Sequence, residues 1–88
     1  MDKLEELRKK IDALDTQLLI LLSERLRTVV EVGELKRQLG LKPLDSKRWN
    51  QVLQNGVTQG KILGLSEEFV KQILDTIHGE ALAIEEKI

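Results

Sequence analysis

The 88-residue chain has no cysteine and no tyrosine, and only one each of tryptophan, phenylalanine, histidine and proline. The missing cysteines exclude a disulfide framework, a thiolate zinc site and a cysteine nucleophile. So few aromatics leave no stacking platform for single-stranded nucleic acid. An excess of either charge is also lacking. The 14 basic and 15 acidic residues give a formal charge of −1, so no global field draws the chain to nucleic acid or an anionic membrane, and any anion site must be built locally. No apolar run approaches a membrane span, and the charged residues from Asp2 onward lack the apolar core of a signal peptide. The sequence therefore reads as cytoplasmic.

The chain is rich instead in Leu, Ile, Val and charge, with 33% charged residues, the composition of amphipathic helices. Asp2-Lys3-Leu4-Glu5 is a capping-box-like start. From it a heptad seam runs through Leu4, Leu7, Ile11, Leu14, Leu18, Leu21, Arg25, Thr28, Val32, Leu35 and Leu39 in steps of three and four. Gly40 ahead of Pro43 is the natural stop. A helix over roughly 3 to 39 is about 55 Å long, whereas a compact domain of this size is about 30 Å across. The helix outruns its own globule, and a second copy about a two-fold axis is the simplest cover for its far half. At this length a lone core is also near the lower limit for stability.

A second segment begins at Asp45 as N-cap and carries Trp49, Val52, Leu53 and Val57. Gly56 and Gly60 each cost about 1 kcal/mol in a helix interior, so the segment is expected to be short or partly frayed. Gly64 closes it. Ser66 and two glutamates open a third helix with an apolar stripe of Val70, Ile73, Leu74, Ile77, Ala81, Ile84 and Ile88. The fold class is all-α, three helices in the order long, short, long, in one domain over 1–88 without internal repeats.

The seam breaks at Arg25, where an unpaired guanidinium among Leu18, Leu21, Val32 and Leu35 would carry a desolvation cost of several kcal/mol. Arg25 either fixes register or pairs with a glutamate of a neighbouring helix, or it serves an anion site. Lys36 favours the second reading. It lies about 20° around the helix from Arg25 and about 16 Å along it, so one long cleft can use both. Arg8 is about 25 Å from Arg25 and rotated by about 100°, out of reach of the same ligand except from an antiparallel partner helix; alone it reads as a solvated residue. Arg48, in the first turn of the second helix, is either an exposed helix-start arginine or a fourth cation. Four cations around one apolar cleft describe a receptor for a compact dianion.

Leu7-Arg8-Lys9-Lys10-Ile11-Asp12-x-x-Asp15, Leu21-Leu22-x-Glu24-Arg25, Val32-Gly33-x-x-Lys36 and Pro43-x-Asp45-x-x-Arg48 together resemble the helical chorismate mutases. The likeness spans the whole chain, strongly through Arg48 and more loosely around Ile77-His78-x-Glu80. It implies an intertwined homodimer with two equivalent sites, each completed by Arg8 of the other chain, and an isomerase that converts chorismate to prephenate in aromatic amino acid biosynthesis without metal or cofactor. By resemblance, Arg8 and Arg25 would bind the substrate carboxylates, and Lys36 a carboxylate and the ether oxygen. Asp45 and its backbone would help hold the ring hydroxyl, and Arg48 would support the carboxylate network. Val32, Trp49, Ala81 and Leu82 fall among the substrate-binding positions. A Claisen rearrangement needs no nucleophile or proton transfer; it needs shape, and cations aimed at the developing negative charge.

Three positions depart from the family pattern. Trp49 stands where many members carry a glutamate for the ring hydroxyl, and an indole cannot accept that hydrogen bond. An aromatic there resembles mutase domains fused to 3-deoxy-7-phosphoheptulonate synthase, which makes a fused or associated synthase domain an expected partner. Ala81 replaces an expected serine, losing its contact. Glu85 stands where glutamine usually donates to the ether oxygen. An ionised Glu85 would repel the developing charge, so it is expected to act protonated, with activity rising toward acidic pH; otherwise it is a surface glutamate near a fraying terminus. His78 reads as structural or as a helix-surface residue, and Trp49 as core or cleft lid. Two other functions fit: an isochorismate pyruvate lyase of the same fold, whose substrate differs in hydroxyl placement, and a non-catalytic dimerisation or regulatory module in which Arg25 only sets register.

Overall fold

The computed structural model describes residues 2–88 as three α-helices, α1 (Lys3–Leu39), α2 (Ser46–Ile62) and α3 (Glu67–Glu86). Each starts on the expected cap. Asp2 accepts from the Leu4 N–H, Asp45 from the Arg48 N–H and Ser66 from the Phe69 N–H. These caps satisfy donors that the first turn leaves open. At the far end of α1, Gly40 takes a left-handed φ of 70°, and its neighbour Leu41 closes back on the Lys36 carbonyl at 2.8 Å. A side chain would be strained at that φ, which is why the helix stops on glycine.

α2 and α3 form an antiparallel hairpin. It lies along the C-terminal half of α1, with α3 in the middle and running in the same direction as α1. Gly33 of α1 meets Ile88 and Glu85 near the end of α3, while Leu18, Leu19 and Leu22 share a groove with Phe69 and Ile73 near its start. α3 packs on both other helices, and α1 and α2 do not approach each other closely. The core is thin. Val70 and Ala81 are the only apolar side chains among the described residues that are buried, and neither is completely so.

Two expectations change. α2 is one unbroken helix of 17 residues rather than a short or frayed one. Its glycines are the reason it can pack: a Cβ on Gly60 would sit 2.6 Å from Val70 Cγ2, and one on Gly56 would collide with Leu74. Close approach to α3 offsets the propensity cost. Gly60→Ala is therefore expected to destabilise by about 1 kcal/mol, because Val70 is buried, β-branched and stiff. Gly79→Ala, at an exposed helical site with nothing near its Cβ, should stabilise by about 1 kcal/mol. Thermal denaturation of the two variants reads these opposite signs.

The seam also differs. The face of α1 turned to α3 is the adjacent row, Leu22, Leu26, Val29, Gly33 and Lys36, which alone in that helix are more than marginally covered. The expected seam stays open along its whole length, not only in the far half: Leu14 is 49% exposed, Leu18 59% and Leu35 55%. Arg25 is exposed as well, so within one chain its guanidinium carries no desolvation cost. Residues 2–21 are all exposed, and the molecule extends 58 × 24 × 15 Å. No helix among the described residues is long and apolar enough to cross a membrane.

Candidate functional site

Because α3 holds α1 and α2 apart, a cleft of about 350 Å³ opens between them. The last turns of α1 supply its first wall. Lys36 sits where the carbonyl end of the helix favours a cation. Its Nζ donates to the Pro43 carbonyl at 2.6 Å and lies 2.8 Å from Glu85 Oε1. The Lys36 side chain is 22% exposed and that of Glu85 only 8%, so the two charges are shielded from water and neutralise each other. Their contact is an ion pair rather than an aligned hydrogen bond, since Glu85 Oε1 has no hydrogen-bond partner of acceptable geometry. Arg25 stands three turns upstream on the same wall, with Val29 and Val32 between. Thr28 is turned back on its own helix, its hydroxyl donating to the Glu24 carbonyl at 3.0 Å.

α2 supplies the second wall through Arg48, Trp49 and Val52, introduced by Asp45 and Pro43. Asp45 is the helix cap, with Oδ1 3.0 Å from the Arg48 N–H. Arg48 occupies a first turn that contains no acidic residue. A cation there opposes the helix dipole, at a cost of about 0.3–1 kcal/mol, while both the dipole and the guanidinium make that end of the cleft attractive to an anion. α3 supplies His78, Ala81 and Glu85, which follow one helical face in steps of three and four. His78 lies flat on Trp49, ring centroids 3.8 Å apart and planes within 8°.

Of the residues expected from sequence, Arg25, Val32, Lys36, Asp45, Arg48, Trp49, Ala81 and Glu85 all line this cleft. Leu82 does not. It is half-buried, turned about 100° around α3 from Ala81. Arg8 does not either, being exposed in the first turns of α1. Sequence reasoning did not place Val29, Pro43, Val52 or His78 at the site. For His78 the signal was available in its spacing of three and seven from Ala81 and Glu85. Trp49, read as core or lid, is a half-buried wall.

Three cations and two carboxylates face the cleft, leaving one net positive charge with His78 neutral and Glu85 ionised. A larger groove of about 700 Å³ lies between Leu18, Leu19 and Leu22 of α1 and Phe69, Ile73 and Ile77 of α3, but it contains no Lys or Arg. Size alone would favour that groove; only the smaller cleft has the chemistry to recognise an anion. The fold and site are thus those of an all-helical protein with a small cleft in which cationic side chains flank apolar ones. The chain belongs to the chorismate mutase type II family, whose description matches residues 7–86. It is 33% identical over 85 residues to the T-protein of Haemophilus influenzae, covering 97% of this chain and 22% of that protein. To a bifunctional chorismate mutase/prephenate dehydratase of Aquifex aeolicus it is 33% identical over 97 aligned positions, covering 100% of this chain and 25% of the relative. To a 4-amino-4-deoxychorismate mutase of Streptomyces pristinaespiralis it is 30% identical over 86 residues, covering 98% of this chain and 67% of the relative. The chain spans about a fifth of the length of the T-proteins it matches.

Proposed function

We propose that the chain catalyses the rearrangement of chorismate to prephenate in the cytoplasm, acting as a homodimer in aromatic amino acid biosynthesis. The observation that carries this reading is the convergence of Arg25, Lys36 and Arg48, from two helices, on one cleft of substrate size. The reaction breaks the ether C–O bond and forms a C–C bond in one pericyclic step. Arg25 and Arg48 hold the two carboxylates and fold the enolpyruvyl arm over the ring, which removes the conformational freedom that slows the reaction in water. Lys36 faces the ether oxygen and stabilises the negative charge that grows there. Asp45, as the α2 cap, holds the first turn that carries Arg48 in place. Arg8 of the partner subunit completes the carboxylate site, and the open seam of α1 is the surface that brings it there. The synthase expected beside Trp49 would act as a fused or associated domain. The test is turnover of chorismate and of isochorismate by the purified chain. Prephenate from the first supports the mutase, salicylate from the second supports the lyase, and neither leaves a dimerisation module.

Glu85 limits the mutase at neutral pH. While ionised it neutralises Lys36 at 2.8 Å and sets a negative charge beside the oxygen where more is developing. Protonation removes that charge, frees the ammonium for substrate, and raises the net charge of the cleft from one to two, matching a dianion. Turnover is therefore expected to rise toward acidic pH. Glu85→Gln should be faster at neutral pH and nearly flat across the same range in kcat/KM. A variant profile that still climbs toward acid would remove Glu85 as the cause.

A further inference from the structure

The ring hydroxyl of the substrate has lost two of its expected partners, because Trp49 has no acceptor and Ala81 has no polar group. Asp45 already commits one oxygen to the Arg48 N–H, and the Thr28 hydroxyl donates to its own helix. His78 is the neutral side chain on the cleft wall that has both a donor and an acceptor to offer, since Trp49 can only donate and the Thr28 hydroxyl has spent its proton on the helix. It lies one helical turn before Ala81, so the space left by the small side chain adjoins the imidazole. The parallel stack on Trp49, with centroids 3.8 Å apart, covers one ring face and fixes the plane in which the two ring nitrogens lie.

We propose that His78, held flat against Trp49, is the specificity-determining residue that hydrogen-bonds the ring hydroxyl, which this chain reads with an imidazole rather than a carboxylate or a serine. A neutral imidazole carries one donor and one acceptor, so it meets a hydroxyl in either orientation and adds no charge to a cleft already occupied by Lys36 and Glu85. The flat stack also makes a histidine better suited than a flexible amide: its ring is immobilised before substrate arrives, and little side-chain freedom is lost on binding. This inference rests on the mutase reading and adds to it the group that recognises the substrate ring.

The experiment compares chorismate with the analogue whose ring hydroxyl is replaced by hydrogen, using the wild-type chain, His78→Phe and His78→Gln. Phenylalanine keeps the stack and removes both nitrogens; glutamine keeps hydrogen bonding and gives up the stack. In the wild type the deoxy analogue should show kcat/KM about tenfold below chorismate, the size of one hydrogen bond. His78→Phe should lose about tenfold on chorismate and almost nothing on the analogue, abolishing the preference, and His78→Gln should recover part of it. Equal losses of His78→Phe on both substrates would assign His78 a packing role and overturn the proposal, as would an unchanged preference. Activity on the analogue shows that each variant is folded. A wild-type chain that turns over neither substrate would instead overturn the mutase reading, and this inference with it.

Discussion

Lys36→Ala is expected to lower kcat by about 10²–10³-fold, the loss that follows removal of one charge-stabilising donor from a preorganised site. The alanine removes the only cation within ion-pair reach of Glu85 among the described residues, and leaves unpaired a carboxylate that is 8% exposed in the intact pair. A second effect follows. The variant should lose about 1–3 kcal/mol of stability, less than for a fully buried pair because Lys36 reaches solvent. The two effects separate in the double variant. Lys36→Ala with Glu85→Gln should regain most of the melting temperature, since a neutral amide is not stranded as a charge is, but none of the turnover. If turnover returned with stability, Lys36 would be a structural partner of Glu85 and the ether oxygen would need another cation.

Leu14→Asp should dissociate the assembly and abolish activity. Leu14 lies in the exposed first half of α1, and with Leu4, Leu7, Ile11 and Leu18 it forms an apolar stripe in which every side chain is about half exposed. The radius of gyration is 16.4 Å, against about 12 Å for a compact chain of this length. A protruding helix with so much open apolar surface is what the proposed dimer would cover. In a two-fold dimer the substitution enters twice, and each buried carboxylate costs several kcal/mol. Sedimentation should show loss of the dimer and circular dichroism a loss of helix, while Leu14→Met retains both. A dimeric, fully active Leu14→Asp protein would rule out this stripe as the interface, and with it the delivery of Arg8.

The helix ends were legible because each is written in a few adjacent residues, Asp2, Gly40, Asp45 and Ser66. The extent of α2 was not. A propensity scale records the entropic cost of Gly56 and Gly60 but not the close packing on Val70 and Leu74 that offsets it, and that packing joins residues 10 to 18 positions apart. The seam of α1 was legible as a pattern, while its partner was not. Two apolar rows one position apart run down α1; the chain covers the row through Leu22, Leu26 and Val29 and leaves the other open. Arg25, Lys36 and Arg48 could be gathered by helical geometry and resemblance, since their reach depends on rise and rotation. His78 was missed although its spacing from Ala81 and Glu85 sets it on their face of α3, because its meaning comes from contact with Trp49 on another helix.

The most direct measurement is product analysis by proton NMR after the purified chain is given chorismate, with isochorismate in a parallel sample. The expected result is prephenate from chorismate, formed faster than in buffer and faster at acidic than at neutral pH, with isochorismate unchanged. Chorismate left at its uncatalysed rate across pH, or salicylate and pyruvate from isochorismate, would contradict the cationic cleft as a mutase site.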